Sequence, residues 1–330
     1  MIIGLTYDLR SAYLAMGYSE EETAEFDRES TIDSLDATLQ DLGYQTRRIG
    51  HLRQLIERLQ QGESWDLVFN ICEGMHGIAR EAQVPALLDA YRIPYVFSSP
   101  LVMALTLDKS MAKRVVRDAG INTPDFIVVN KTSDINHVRL PFPLFAKPLA
   151  EGTGKGINGK SVIRDRKELN DTCTYLLKEF RQPVIVEAFL SGREFTTGIV
   201  GTGDRARCVG TMEIILNHKA EQDVYSYTNK EECESLVKYV ATKGKEKEEC
   251  EQLALDAYRV LGCEDAARVD IRYDADGRAS FMEINPLPGL HPEHSDLPIL
   301  AGLNGIPFPE LMKMIMDSAV SKITSAIHKT

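Results

Sequence analysis

With 330 residues, 43% of them hydrophobic and 26% charged, the chain has apolar material for two or three domains, and its composition excludes disordered, collagen-like and coiled-coil classes. Its 38 basic and 49 acidic residues leave a formal charge of −11, a field that repels polyanions and speaks against a nucleic-acid partner. The 6 cysteines form no C-x-x-C pair, and no basic leader or long apolar run appears, so reduced thiols, no membrane span and a cytoplasmic location are expected.

In chain order, Met1–Thr6 reads as a strand, and Thr31–Leu42 as an amphipathic helix stopped by Gly43. Strand Tyr44–Ile49, helix His51–Gln61, strand Leu67–Ile71, helix Glu81–Tyr91 and strand Pro94–Phe97 follow. This alternation predicts a parallel sheet in the first ~100 residues, with Glu73–Arg80 in the loop beyond a strand end where ligands usually sit. Thr106–Gly120 is then one helix carrying Asp108, Lys109 and Lys113, and Phe126–Val129 a strand. Pro143–Lys147 and Lys160–Ile163 form a hairpin-like pair around a glycine-rich segment, ahead of helix Lys167–Phe180 and strand Val184–Ala188. Strands Thr196–Val200, Arg207–Ile215, Ala267–Tyr273 and Ala279–Ile284, with helix Lys247–Leu261, complete an α+β portion.

Two segments carry chemistry. Lys147-Pro148-Leu149-Ala150-Glu151-Gly152-Thr153-Gly154-Lys155-Gly156 ends a strand with a lysine and continues into alternate glycines, which let amides approach phosphate oxygens. A flexible hairpin turn is the alternative, and Walker A spacing is absent. In Arg268-Val269-Asp270 and Glu283-Ile284-Asn285, period two places Arg268 with Asp270, and Glu283 with Asn285, on single strand faces. Asp, Glu and Asn are hard oxygen donors suited to Mg²⁺, while Arg268 has the alternative of pairing structurally with one carboxylate.

These segments, taken with Ile93-Pro94-Tyr95 and Ser98-Ser99, Leu107-Asp108-Lys109, Val186-Glu187 with Gly192-Arg193-Glu194-Phe195, and Pro288-Gly289, resemble the ATP-grasp superfamily and within it the D-alanine–D-alanine ligase family. The resemblance implies an α/β and α+β architecture: an N-terminal parallel-sheet, Rossmann-like domain over residues 1–105, a central lobe with a glycine-rich lid over 106–190, and a C-terminal lobe with the metal site and acceptor loop over 191–330. The two lobes clasp ATP. It further implies that Lys109, Lys147 and Lys230 meet the phosphates under a lid formed by Glu151, Gly152, Thr153 and Gly154. By the same resemblance, Glu187, Ala188, Phe189 and Leu190 are expected to face adenine and Glu194 to meet the ribose. Asp270, Glu283 and Asn285 are expected to hold two Mg²⁺ ions, for which Mn²⁺ is a substitute, and Arg268 with the Gly289 amide to stabilise an oxyanion.

The departures concern the substrates. Where the family has the tyrosine of a Glu–Ser–Tyr hydrogen-bond triad after its loop lysine, this chain has Glu231; the resemblance puts Thr153 in the place of the triad's serine and Glu25 in that of its glutamate. Glu73 stands near the usual histidine, with His76 close by, and the acceptor loop, carrying His291, His294 and Ser295, is one residue longer than the family pattern. Ser295 and Asp296 also read as an N-cap for the apolar helix Leu297–Leu303, and His291 with His294 as an alternative zinc site. The expectation is an ATP-dependent carboxylate–amine ligase joining two amino acids through an acyl phosphate, a homodimer like its relatives. A ligase for a different amino-acid or dipeptide pair, and a phosphotransferase or nucleotide-responsive binding protein on the same scaffold, remain the alternatives.

Overall fold

Strand β1 (Ile2–Tyr7) lies at the centre of a parallel sheet of order β2-β1-β3, flanked by β2 (Gln45–Gly50) and β3 (Leu67–Ile71). This is a computed structural model, and it describes residues 1–216 and 236–327. Every β3 residue is buried, as expected for a strand covered on both faces. Gly4 in β1 leaves room for the Trp65 ring: a Cβ there would stand 2.6 Å from the Ile49 Cδ1 and 3.0 Å from the indole.

Helices α1 (Arg10–Ala15), α2 (Glu29–Asp41), α3 (Leu52–Gln60) and α4 (Gln83–Tyr91) accompany this sheet. Helix α2 buries Thr31, Ile32, Leu35 and Leu39, the spacing of one helical face, and the chain turns beyond it at Gly43, whose φ of +90° favours glycine. The structure differs from the sequence reading here in two places. Pro94–Phe97 is not a strand: it makes one bridge, Val68 with Tyr95, because Pro94 has no N–H to donate and Phe97 turns out of extended geometry at φ +76°. Helix α1, between the expected strand Met1–Thr6 and helix Thr31–Leu42, has no counterpart in the sequence reading, because it buries no residue and so leaves no apolar stripe to read.

The expected helix from Thr106 to Gly120 is two helices, α5 (Pro100–Leu107) and α6 (Lys109–Asp118). The break is at Asp108, whose carboxylate accepts hydrogen bonds from the amides of Ser110 at 2.9 Å and Met111 at 3.1 Å. This cap puts Lys109 on the first turn of α6.

A second, antiparallel sheet has the order β4-β7-β5-β6, from β4 (Phe126–Val129), β5 (Leu144–Pro148), β6 (Val162–Ile163) and β7 (Val184–Ala188), with α7 (Arg166–Phe180) packed on it. The β5–β6 pair is the expected hairpin-like one, with Leu144 opposite Ile163. The third sheet runs β10-β9-β8-β11-β12, built from β8 (Glu194–Val200), β9 (Arg207–Leu216), β10 (Val237–Ala241), β11 (Ala266–Tyr273) and β12 (Ala279–Asn285), with α8 (Lys245–Leu261) against it.

The chain closes with α9 (Asp296–Leu303) and α10 (Phe308–Ile327). Leu311, Met312, Ile315, Met316 and Ala319 of α10 share one core with Ile3, Leu5 and Leu35 of the first layer and Val200 and Val209 of the third. The last helix therefore ties the two ends of the chain together, and Lys322 reinforces it with ion pairs to Asp265 at 2.7 Å and Glu264 at 2.8 Å.

One buried ion pair joins the layers at their centre. Lys113 of α6 meets Glu187 of β7 at 2.8 Å, both side chains fully buried, and donates to the Phe281 carbonyl of β12 at 3.3 Å. Lys113→Met should cost about 3–5 kcal/mol in urea unfolding, because Glu187 is left as a buried charge without its partner. A loss below ~1 kcal/mol would show that the pair contributes little to holding the layers together.

Candidate active site

A cavity of about 590 Å³ opens among the three layers, and its lining includes Lys109, Thr153, Arg268, Glu283, Asn285 and Gly289. Its floor is the β11–β12 pair. Arg268 is registered opposite Asn285 and Asp270 opposite Glu283, so the expected sharing of faces holds. Arg268 spans two carboxylates, donating from Nε to the Asp270 Oδ1 at 3.0 Å and pairing through Nη1 with the Asp296 Oδ2 at 2.8 Å. Burial opposes its charge, yet Asp270 and Asp296 together hold the guanidinium well above its ordinary pKa. The structural-partner alternative for Arg268 is thus realised twice over, and Asp296, read from sequence as a capping residue, belongs to the site.

Lys147 on β5 and Lys109 on α6 converge on one carboxylate. Lys147 Nζ donates to Glu283 Oε2 at 2.8 Å, and Lys109 Nζ lies 3.8 Å from the same atom while donating to the Glu151 carbonyl at 2.5 Å. Burial works against both charges, but Glu283 holds Lys147 above its usual value, whereas Lys109, less closely paired and facing Lys147, stays below its own. Two cations are thus gathered on one carboxylate, a local excess of positive charge.

The glycine-rich segment turns through positive φ at Thr153 (+52°), Gly154 (+73°) and Gly156 (+72°). At Gly156 a Cβ would stand 2.7 Å from the Pro148 Cγ and 2.9 Å from the Phe180 ring, so glycine is required there. Lys155, flanked by two of these glycines, is only 8% exposed. Its Nζ lies 3.2 Å from Glu151 and 3.6 Å from Glu25. Lys155→Ala should therefore raise the ATP KM several-fold by loosening the loop, measured by initial-rate kinetics.

Glu25 does line the cavity, but both of its oxygens are occupied: Oε1 accepts from the Gly152 amide at 2.5 Å and Oε2 pairs with Arg80 at 2.8 Å. Burial raises its pKa, and Arg80 and Lys155 more than offset this, so Glu25 stays ionised. It anchors the loop and does not act as a free base. Arg80, which donates also to the Ala150 carbonyl at 2.8 Å, went unremarked in sequence because nothing in Ile78-Ala79-Arg80-Glu81 marks it as buried.

Glu73, His291, His294 and Ser295 line the cavity too, while His76 does not: it is exposed and contacts the Tyr18 hydroxyl at 3.2 Å. The His291 and His294 rings stack at 4.5 Å, and burial followed by the neighbouring His294 lowers the His291 pKa. No group of three or more His, Cys, Asp or Glu able to hold a metal occurs among the described residues, so the zinc reading is withdrawn. Ser295 occupies the N-cap position of α9 but makes no capping bond; its hydroxyl accepts from the His291 amide at 2.9 Å. Gly289 packs beside it, where a Cβ would approach the Ser295 Oγ to 2.8 Å.

None of the residues expected on the adenine and ribose side, Glu187, Ala188, Phe189, Leu190 and Glu194, lines this cavity. The Glu187 carboxylate is turned inward to Lys113 and is absent from the cavity lining. Ala188 and Phe189 already donate backbone hydrogen bonds to the Asp125 carbonyl at 2.9 Å and the Pro143 carbonyl at 3.1 Å. Leu190 is buried, the Arg272 guanidinium sits 5.2 Å over the Phe189 ring, and Glu194 pairs with Arg272 at 3.5 Å. Lys230 and Glu231 lie outside the described residues.

The family model "D-ala D-ala ligase C-terminus" matches residues 115–317. The D-alanine–D-alanine ligase of Bordetella petrii is 33% identical over 267 residues, covering 79% of this chain and 78% of that protein. That of a Marinomonas species is 32% identical over 268 residues, 80% of each. The crystal structure of D-alanine–D-alanine ligase from Bacillus anthracis complexed with ATP superposes with a TM-score of 0.73 at 25% identity, covering 99% of both chains. Fold and cavity together define an ATP-grasp enzyme, an ATP-dependent ligase that joins a carboxylate to an amine and yields ADP and phosphate. The chain belongs to the D-alanine–D-alanine ligase family. Among the described residues no helix is long and apolar enough to cross a membrane.

Proposed function

We propose that the chain binds ATP against Lys109, Lys147 and the Glu151–Gly154 turn and uses it to join two amino acids. A carboxylate oxygen of the first attacks the γ-phosphorus as the bond to ADP breaks; the amine of the second attacks the acyl carbon and loses a proton as phosphate leaves. The observation that carries this reading is the convergence of Lys109 and Lys147 on Glu283, directly across a strand pair from Arg268 and Asp270. Arg268 and the Gly289 amide are the donors for charge that develops on the attacked carbonyl, Thr153 lies over the reacting end, and Ser295 with His291 and His294 borders the acceptor.

Magnesium fits the residues present. Asp270, Glu283 and Asn285 offer oxygen donors on adjoining strands, and the Asn285 amide nitrogen is buried without a partner, which suits an Asn whose oxygen is reserved for a cation. When bound, the metal offsets phosphate charge; Mn²⁺ would substitute. Since fewer than three acidic or histidine groups cluster there among the described residues, phosphate oxygens and water must complete its shell. The family resemblance extends the proposal to a cytoplasmic homodimer, tested by sedimentation.

Hydroxylamine trapping tests the reading. With ATP, Mg²⁺ and an amino acid, an acyl phosphate is intercepted as a hydroxamate with stoichiometric ADP. Phosphate transfer to an amino acid without hydroxamate or amide would support the phosphotransferase alternative instead.

A further inference from the structure

The ligase reading gives the first amino acid a carboxylate to activate and says nothing of what its cationic end meets. Glu25, Asp27, Glu73 and Glu81 all stand on the cavity lining. Glu25 is committed to Arg80 and the Gly152 amide. Glu81 is not committed: it is 9% exposed, and among the described residues it has no hydrogen-bond or ion-pair partner. Glu73, partly buried, likewise lacks one.

The cations nearby are already used. Arg80 serves Glu25 and the Ala150 carbonyl; Lys155 serves Glu25, Glu151 and the Glu22 carbonyl; Lys109 serves the Glu151 carbonyl and Glu283. Burial, reinforced by Glu25 and only partly opposed by Arg80, pushes Glu81 up to about 7, and burial with the charge of Glu81 pushes Glu73 well above the carboxylate range. Two such acids facing a cavity call for positive charge from the ligand. The α-ammonium of an ordinary amino acid answers one of them. The second needs a second cation.

We infer that Glu73 and Glu81 form a recognition wall for an amino acid with a basic side chain, a diamino acid whose two ammonium groups each meet one carboxylate. This specificity rests on the ligase reading above. A small neutral side chain would leave one of the two acids buried without a counter-charge, whereas each ammonium donates charge-assisted hydrogen bonds.

The test compares ADP release with alanine, 2,3-diaminopropionate, 2,4-diaminobutyrate, ornithine and lysine, each in both configurations, singly and in pairs. The best diamino acid should exceed alanine of the same configuration at least tenfold in kcat/KM, and Glu81→Gln and Glu73→Gln should each lower that ratio at least tenfold. Calorimetric titration of the same amino acids into the enzyme without ATP reads recognition apart from turnover: the diamino acid should bind more tightly than alanine, and Glu81→Gln should remove the difference. If no amino acid elicits ADP, the ligase reading fails while the titration still decides the specificity. A wild-type preference for alanine in both assays, or ratios unmoved by both substitutions, would overturn the inference and leave Glu81 a protonated structural carboxyl.

Discussion

Glu283→Ala is expected to lower ADP formation by about 10²–10³-fold, the range found when one preorganised electrostatic group is removed from a reacting centre. The side chain has two tasks. It provides an oxygen to the metal proposed here, and it is the carboxylate on which Lys147 at 2.8 Å and Lys109 at 3.8 Å converge. Without it the two lysines face each other with burial opposing both charges, so Lys147 loses what now holds its pKa high. Glu283→Gln keeps the shape and one oxygen donor but not the charge, and should fall between wild type and alanine. Initial rates measured across a Mg²⁺ series, with thermal unfolding as a control for folding, check both. Near wild-type rates for Glu283→Ala at limiting Mg²⁺ would remove Glu283 from the metal site and the phosphate wall.

The β11–β12 site was legible in sequence because strand alternation fixes which side chains share a face: Arg268 with Asp270 and Glu283 with Asn285 follow from period two alone, and the register then sets the pairs opposite. What alternation cannot give is the partner brought in by the fold. Asp296 lies at the start of a separate helix, and only the packing of α9 brings it to Arg268. Arg80 and Glu81 lie on a single 3₁₀ turn without periodic contrast, so nothing local marks them as buried. Glu187 shows the opposite failure. A motif match gave it a ligand, but its β7 position faces inward, and the α6 lysine one turn beyond Lys109 claims it. Helix α5 escaped notice because its composition is apolar nearly all round, leaving no amphipathic contrast to read.

Arg268 poses the sharpest question, since pairing with Asp270 and Asp296 could be its whole purpose. Arg268→Met is expected to reduce kcat by about 10²-fold or more through loss of an oxyanion donor, and to cost roughly 3–5 kcal/mol of stability because two partly buried carboxylates lose their shared cation. Stability and turnover separate in a double-mutant cycle. Asp296→Asn alone should be mild, because Asp270 still holds the guanidinium through Nε and Nη2 at 3.0 and 3.2 Å. Adding Asp296→Asn to Arg268→Met removes one of the two stranded charges, so urea unfolding should recover a large part of the lost stability while kcat stays low. That divergence is the signature of a group that touches the reacting atoms. Should kcat instead recover in step with stability, Arg268 would be a clamp between β11 and α9 alone, and the oxyanion would have to rely on the Gly289 amide and the metal.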